Sequence, residues 1–236
     1  MRVARSRRRQ KFLTDMSKEA VACYRDPYRE WYDDERQMMP YFLSLVGPKM
    51  RILDLAGGYA KAAPVLLGGG NEVVLADLSE ESLRTGREEN AATELQIVRL
   101  DMLNEFPFVD GAFDGVWFAE AFEYVPPDER STFLKSLRRL VKKDGVVFLN
   151  TEGLNEELSI FAYLKNYLYW KLVKRAPVIW GEYIFKVDLP LYKGWHYHSL
   201  VLSRGIGKSF SEAGFDILKS TEYGKGDYTS FVLRAI

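Results

Sequence analysis

The sequence is poor in several things, and each shortage excludes something. One cysteine, Cys23, stands among 236 residues, so no internal disulfide can form, and a reducing, cytoplasmic setting is expected. No apolar run approaches the roughly 20 residues that a membrane-spanning helix needs. Net charge is absent, with 33 basic and 33 acidic residues, so global charge selects no polyanionic partner. Histidine is scarce: His196 and His198 are the only two, both within "GWHYHS". No cluster of metal-ligand spacing stands out, and no metal is expected. Low-complexity segments and internal repeats are missing too.

What is present is ordinary for a globular chain, with 47% hydrophobic and 28% charged residues. One domain over residues 1–236 accounts for the length. The start, "MRVARSRRRQKF", is basic with no apolar segment behind it, so it does not read as a secretory signal. Arg2, Arg5, Arg7, Arg8, Arg9 and Lys11 suggest either an arm for nucleic acid or acidic lipid, or a frayed and solvated tail. Termini are usually poorly ordered, so residues 1–13 are assigned to a tail. Residues 14–48 read as an N-terminal helical cap, which Pro27 and Pro40 are expected to divide.

From Arg51 strands and helices alternate. "RILDLA", "EVVLAD", "LQIVRLD", "DGVWFAE" and "VVFLNT" are strand-like runs. Helical stretches follow "YAK", Ser79 and Pro126–Pro127, and Lys142, Lys143 and Gly145 are expected to close the last of these. Alternation of this kind predicts an α/β fold, a mostly parallel sheet with helices on both faces. Ligands in such sheets lie at the carboxyl ends of the strands. There the sequence places Asp54, Asp77, Asp101 and Glu120 in series. A carboxylate after the second strand can accept both hydroxyls of a ribose, and one after the third can accept from an adenine amine. Each acid alone is equally well a turn or cap residue.

"ILDLAGGYAKAAPVLLGGGNEVVLADLS", "RLDMLNEFPF", "GAFDGVWFAEAFEYVP" and "LRRLVKKDGVVFLNTEG" together resemble the successive motifs of class I S-adenosylmethionine-dependent methyltransferases. "LDLAGG" with "VVLAD" is locally similar to quinone-biosynthesis C-methyltransferases. "AEAFEYV" is similar to the "EVLEHV" of small-molecule O-methyltransferases, with Tyr124 where histidine is usual. The resemblance implies a Rossmann-like sheet of seven strands, the last antiparallel, with residues 50–153 as the cofactor-binding core and 201–236 as a closing helix and strand hairpin. It implies S-adenosylmethionine as cofactor, S-adenosylhomocysteine as product, and methyl transfer to O, N or C of a small aromatic or apolar metabolite. Asp54, Ala56, Gly57, Gly58 and Tyr59 would wrap the methionine end. Asp77 would hold the ribose and Leu78 would pack on adenine. Asp101 and Met102 would meet the adenine, and Phe118 and Ala119 would line the site. A dehydrogenase is disfavoured, because the turn lacks G-x-G-x-x-G spacing and the acid after the third strand has no standard dinucleotide role. Alanine replaces glycine at 60, and the reading here is a helix that begins near Tyr59.

Where the acceptor carries a proton, Glu120, Glu123, Tyr124, His196 and His198 are the candidates to take it. Either histidine could equally be a packing residue. The aromatic stretch 155–200 sits where a substrate cover would be built. Its other readings are a peripheral membrane or partner surface, and an extra packed helix pair. The expected partner is a small-molecule substrate. Alternatives are a tRNA acceptor, on the strength of the basic start, and a non-catalytic binding protein that keeps the fold. The oligomeric state is not readable.

Overall fold

In a computed structural model, residues 7–23, 31–152, 160–189, 192–199, 203–223 and 228–236 are described. Helix α1 (Arg7–Cys23) and helix α2 (Asp33–Val46) precede the sheet. Then come β1 (Arg51–Leu55), α3 (Ala63–Leu66), β2 (Glu72–Asp77), α4 (Glu80–Glu89), β3 (Gln96–Arg99) and β4 (Phe113–Phe118). Helix α5 (Arg130–Leu140) leads into β5 (Val141–Glu152), and α6 (Ile160–Leu168) runs into a π-turn at Tyr169–Val173. Strands β6 (Glu182–Leu189) and β7 (Tyr192–Ser199) form a separate antiparallel hairpin. Helix α7 (Ser203–Glu212) and strands β8 (Phe215–Tyr223) and β9 (Tyr228–Ala235) close the chain.

The main sheet has seven strands in the order β3-β2-β1-β4-β5-β9-β8. The pairings from β3 through β5 are parallel, and β9 runs antiparallel to both β5 and β8. This is the expected α/β architecture, including the closing hairpin. Alternation along each strand sorts side chains to two faces. One face carries Ile52, Val73, Trp117 and Phe148, covered by Met38, Phe42 and Val46 of α2. The other carries Leu53, Val74, Phe118 and Leu149, covered by Leu134 and Leu137 of α5 and by Phe210 of α7. The strand order reverses between β1 and β4, which opens a crevice at their carboxyl ends.

Four expectations need correction. Pro40 does not divide α2 but lies inside it, on the exposed side, where the carbonyl it leaves unbonded can meet water. Pro27 falls outside the described residues. Helix α5 ends at Leu140, because Val141 already pairs with Phe113 of β4. Lys142, Lys143 and Gly145 therefore sit in an irregular start of β5, where the register jumps before Gly115 pairs with Val146. Of the readings for 155–200, the extra helix pair gives way: the described part is a helix with its π-turn and a strand hairpin.

The fourth correction concerns the basic start. From Arg7 onward it is helix, and Arg9 is buried. Its guanidinium donates to both carboxylate oxygens of Glu182, at 2.7 and 3.2 Å, and to both of Asp128, at 2.8 and 3.1 Å. Buried Glu182 also accepts from Tyr197 Oη (2.8 Å) and from the Ile179 amide (2.8 Å). Arg9 thus pins α1 to the hairpin across Leu13, Trp170, Val178, Ile184 and Tyr197.

Arg9→Ala should cost about 3–5 kcal/mol in the docking of α1, because it leaves a buried carboxylate uncompensated. Hydrogen exchange should show faster opening of α1 and β6–β7 while the seven-stranded sheet keeps its protection. The double change Arg9→Met with Glu182→Gln should recover part of that loss.

Candidate active site

The crevice is a cavity of about 470 Å³. Its floor is the turn after β1. Asp54 is buried there, and its Oδ2 has no hydrogen-bond partner. A Cβ placed on Gly57 would fall 2.5 Å from the Asp54 carboxyl carbon, so only glycine allows the turn to pass so close. Burial first, then the charge of Asp77, push the Asp54 carboxyl up to about 7, with Lys61 pulling the other way.

The turn is left-handed at three points: Ala56 at φ 56°, Gly58 at 53° and Ala60 at 62°. Alanine at 60 therefore does not begin a helix. The helix is only the four residues Ala63–Leu66 with Pro64 in its first turn, and Tyr59 sits in the turn before it. Ala60 accepts an unfavourable conformation because its methyl is buried beside Ala63, Leu75 and Leu83. Across the cavity Asp77 accepts from the Gly58 amide (3.0 Å) and the Ser79 amide (2.8 Å). Burial raises the Asp77 carboxyl, and these bonds act against the rise. Asp101 accepts from the Leu103 amide (2.9 Å) and Asn104 Nδ2 (3.0 Å).

Asp54, Ala56, Gly57, Gly58, Tyr59, Asp77, Leu78, Asp101, Met102, Ala119, Glu120 and Tyr124 all line the cavity. Phe118 does not. Asp54 pairs in register with Trp117, so these two share the sheet face that opens into the crevice, whereas Phe118 points into the core on the opposite face. Trp117 takes the place assigned to Phe118, stacked on Phe148 with centroids 3.9 Å apart. Sequence reasoning also missed Trp31, Glu35 and Lys61. Trp31 and Glu35 lie outside every motif and come from the start of α2 and the residues before it, whereas Lys61 lies within the glycine-turn motif but was given no role.

Lys61 Nζ lies 2.7 Å from buried Glu35 and 3.5 Å from Glu120, beside the rings of Trp31 and Tyr32. Burial pushes Glu120 well above the ordinary carboxylate range; Glu35 and Glu123 add to the rise and Lys61 opposes it. Burial and the neighbouring Glu35 thus favour the protonated form of Glu120, which disfavours it as a base. Its backbone is left-handed, φ 51°, and its amide is held by Asn150 Oδ1. At the other rim Tyr124 Oη is 2.6 Å from His196 Nε2 and 3.4 Å from His198 Nε2. Burial, then His198, lowers His196 to about 3, so this ring stays neutral and cannot store a proton. Neither histidine lines the cavity, but both contact Tyr124, which does.

Fold and crevice define a class: an α/β protein of Rossmann-like type with acids from its strand ends lining the crevice. Residues 52–145 match the family model of a methyltransferase domain. The ubiquinone/menaquinone biosynthesis C-methyltransferase of Ectopseudomonas mendocina is 34% identical over 110 residues, 44% of this chain and 42% of that protein. The ubiquinone biosynthesis O-methyltransferase of Pseudomonas aeruginosa is 28% identical over 198 residues, 81% of this chain and 72% of that protein. In fold, an S-adenosylmethionine-dependent methyltransferase from Methanosarcina mazei is similar at a TM-score of 0.67 and 17% identity, covering 84% of this chain and 97% of that one. The methyltransferase-domain match thus spans residues 52–145, and the fold is one shared with solved S-adenosylmethionine-dependent methyltransferases.

Ala56→Gly should raise stability by about 1 kcal/mol in urea unfolding, since it releases a left-handed alanine. Ala60→Gly should be near neutral, because the same relief is offset by loss of a buried methyl. Gly57→Ala should cost about 1–3 kcal/mol through the clash with Asp54.

Proposed function

We propose that the protein transfers a methyl group from S-adenosylmethionine to O, N or C of a small aromatic or apolar acceptor. The observation that carries this is the buried, unpartnered Asp54 Oδ2 behind Gly57. That oxygen is buried without a hydrogen-bond partner among the described residues, and the cofactor offers both a donor and a positive charge. When bound, S-adenosylmethionine supplies an electrophilic methyl on a sulfonium, and the departing thioether needs no acid.

The residues present fit it. Asp54 and the Ala56–Tyr59 turn would hold the methionine end. Asp77 and Leu78 would hold the ribose and adenine, with Asp101 and Met102 beyond. What remains to the protein is positioning and exclusion of water, and Trp31, Trp117 and Ala121 supply apolar wall for that. Tyr124 is the group nearest to an acid–base role. Its Oη is held by neutral His196, which fixes the phenol's direction without adding charge. An acceptor proton would pass to Tyr124 Oη and on toward His198 rather than to Glu120, whose carboxyl is raised by burial.

The preference for an apolar acceptor rests on those walls and on the two quinone-pathway relatives. The tRNA alternative loses ground, because Arg9 of the basic start is turned into the protein. Among the described residues no helix is long and apolar enough to cross a membrane.

Calorimetry should detect S-adenosylmethionine binding, weakened at least about tenfold by Asp77→Ala, the loss expected for a charge-assisted hydrogen bond. Asp54 carries its proton below about pH 7 and loses it above. Affinity for the cationic cofactor should therefore rise as pH climbs through 7, with proton release on binding below that point. S-adenosylhomocysteine, which lacks the sulfonium, should show a flatter profile, and Asp54→Asn should flatten both. No heat of binding across this range would sink the enzyme and the binding-protein readings together. Removing residues 1–6 should leave turnover of a phenolic acceptor, read as a one-methyl mass gain, unchanged; a large loss confined to RNA acceptors would favour tRNA.

A further inference from the structure

Nine of the thirteen large apolar side chains that are exposed among the described residues lie between Ile160 and Trp195. Most belong to α6 and the π-turn that extends it. Ile160 is 64% exposed, Phe161 80%, Leu172 66% and Val173 68%, with Leu164 and Leu168 between them. The opposite side of the same segment is where its structural work is done. Tyr163 and Trp170 are buried there, and Trp170 packs with Leu13, Val178, Ile184 and Tyr197. The outward residues therefore contribute nothing to the core, and a water-facing helix has no reason to be leucine, isoleucine and phenylalanine.

Charge in this segment is one-sided. Residues 160–180 carry Lys165, Lys171, Lys174 and Arg175 and no acid, within a chain whose total charge is zero. The α1 start continues the patch: Arg8 donates to the Arg175 carbonyl, and Arg7 and Arg8 are exposed, while Lys11 pairs with Asp15. Trp180, 58% exposed, stands against Tyr163 and Tyr167 at the edge, an aromatic placed where a membrane interface favours one.

We propose that this face docks the protein on an anionic lipid bilayer, with α6 and the π-turn lying in the interface and the basic side chains reaching the headgroups. A second copy of the chain is the poorer occupant. A two-fold contact would set Lys165, Lys174 and Arg175 against their own equivalents, whereas a negatively charged surface complements them. Interfacial helices of this kind combine an apolar face with lysine and arginine whose stems lie along it. The inference does not depend on methyl transfer.

The test is flotation of the full chain with phosphatidylcholine vesicles and with vesicles half phosphatidylglycerol, at low and high salt. Binding should be strong on the anionic vesicles, weak on the neutral ones, and reduced by about 0.5 M salt. The triple change Phe161→Ser, Leu172→Ser, Val173→Ser should lower the bound fraction at least about tenfold without changing the melting temperature, since all three sites are exposed. Lys165→Gln, Lys174→Gln and Arg175→Gln together should lower affinity for anionic vesicles by on the order of 100-fold and leave neutral vesicles unaffected. The proposal fails if the unaltered chain ignores anionic vesicles at low salt, or if both triple variants bind as it does. It fails equally if sedimentation shows a dimer that the serine changes abolish while vesicles capture nothing.

Discussion

The carboxylate of Asp54, buried at the end of β1 with Oδ2 unpartnered, is the constraint around which the crevice is arranged. A charge so placed is costly in the folded protein, which is why its proton is lost only near neutrality. The turn accommodates it by passing Gly57 against the carboxyl and by taking left-handed geometry at Ala56, Gly58 and Ala60. Asp77 then catches the Gly58 amide and keeps the strained loop in place. Without a ligand the arrangement is worse than a plain apolar core would be. Its justification lies in what a cation brings to it, the usual relation between stored strain and function.

The far wall repeats the pattern with different residues. Glu120 is left-handed at the end of β4, and its amide is held by Asn150 Oδ1. Asn150 in turn donates to Asp34 (2.8 Å), and Ser230 of β9 donates to the same Asp34 oxygen (2.6 Å). This fully bonded chain of buried groups ties α2, β5 and β9 to one backbone position at the rim. It also explains why α2 lies where it does. The same helix that packs Phe42 on Trp117 delivers Glu35 to the cavity. Packing and chemistry are set by a single docking event.

The sheet was legible because alternation of apolar strands with helical spacing is a long-range pattern that local substitutions do not erase. The acids at 54, 77 and 101 were legible because strand ends are where such sheets bind ligands. Residues whose role depends on facing direction were harder. Phe118 and Trp117 are adjacent aromatics, and only the register with Asp54 decides which one meets the crevice. Ala60 was misread because helix propensity favours alanine, while the backbone there is dictated by Asp54 and by burial of the methyl. Arg9 was misread because its partners, Asp128 and Glu182, are more than a hundred positions away. Glu35 stands outside every motif and Lys61 at the end of the glycine turn, and their pairing exists only once α2 has docked.

The cap formed by α1, α6 and the β6–β7 hairpin shows how far one set of ion pairs can relieve a segment of structural duty. Arg9, Asp128 and Glu182 hold α1 to the hairpin, and the tyrosine and tryptophan packing beneath them closes the cluster around Trp170. Tyr124 lines the cavity and also packs against that cluster, so the inner side of the cap is continuous with the wall of the crevice. Once the inner side is complete, nothing in the fold requires α6 to be apolar on its outer side. Exposed phenylalanine and leucine lower solubility and invite association, and an outward face serving the fold alone would be expected to be polar. The combination found here, apolar residues outward with only basic residues among them, is explained by a surface outside the chain, and a negatively charged apolar boundary is the one that satisfies both halves of it.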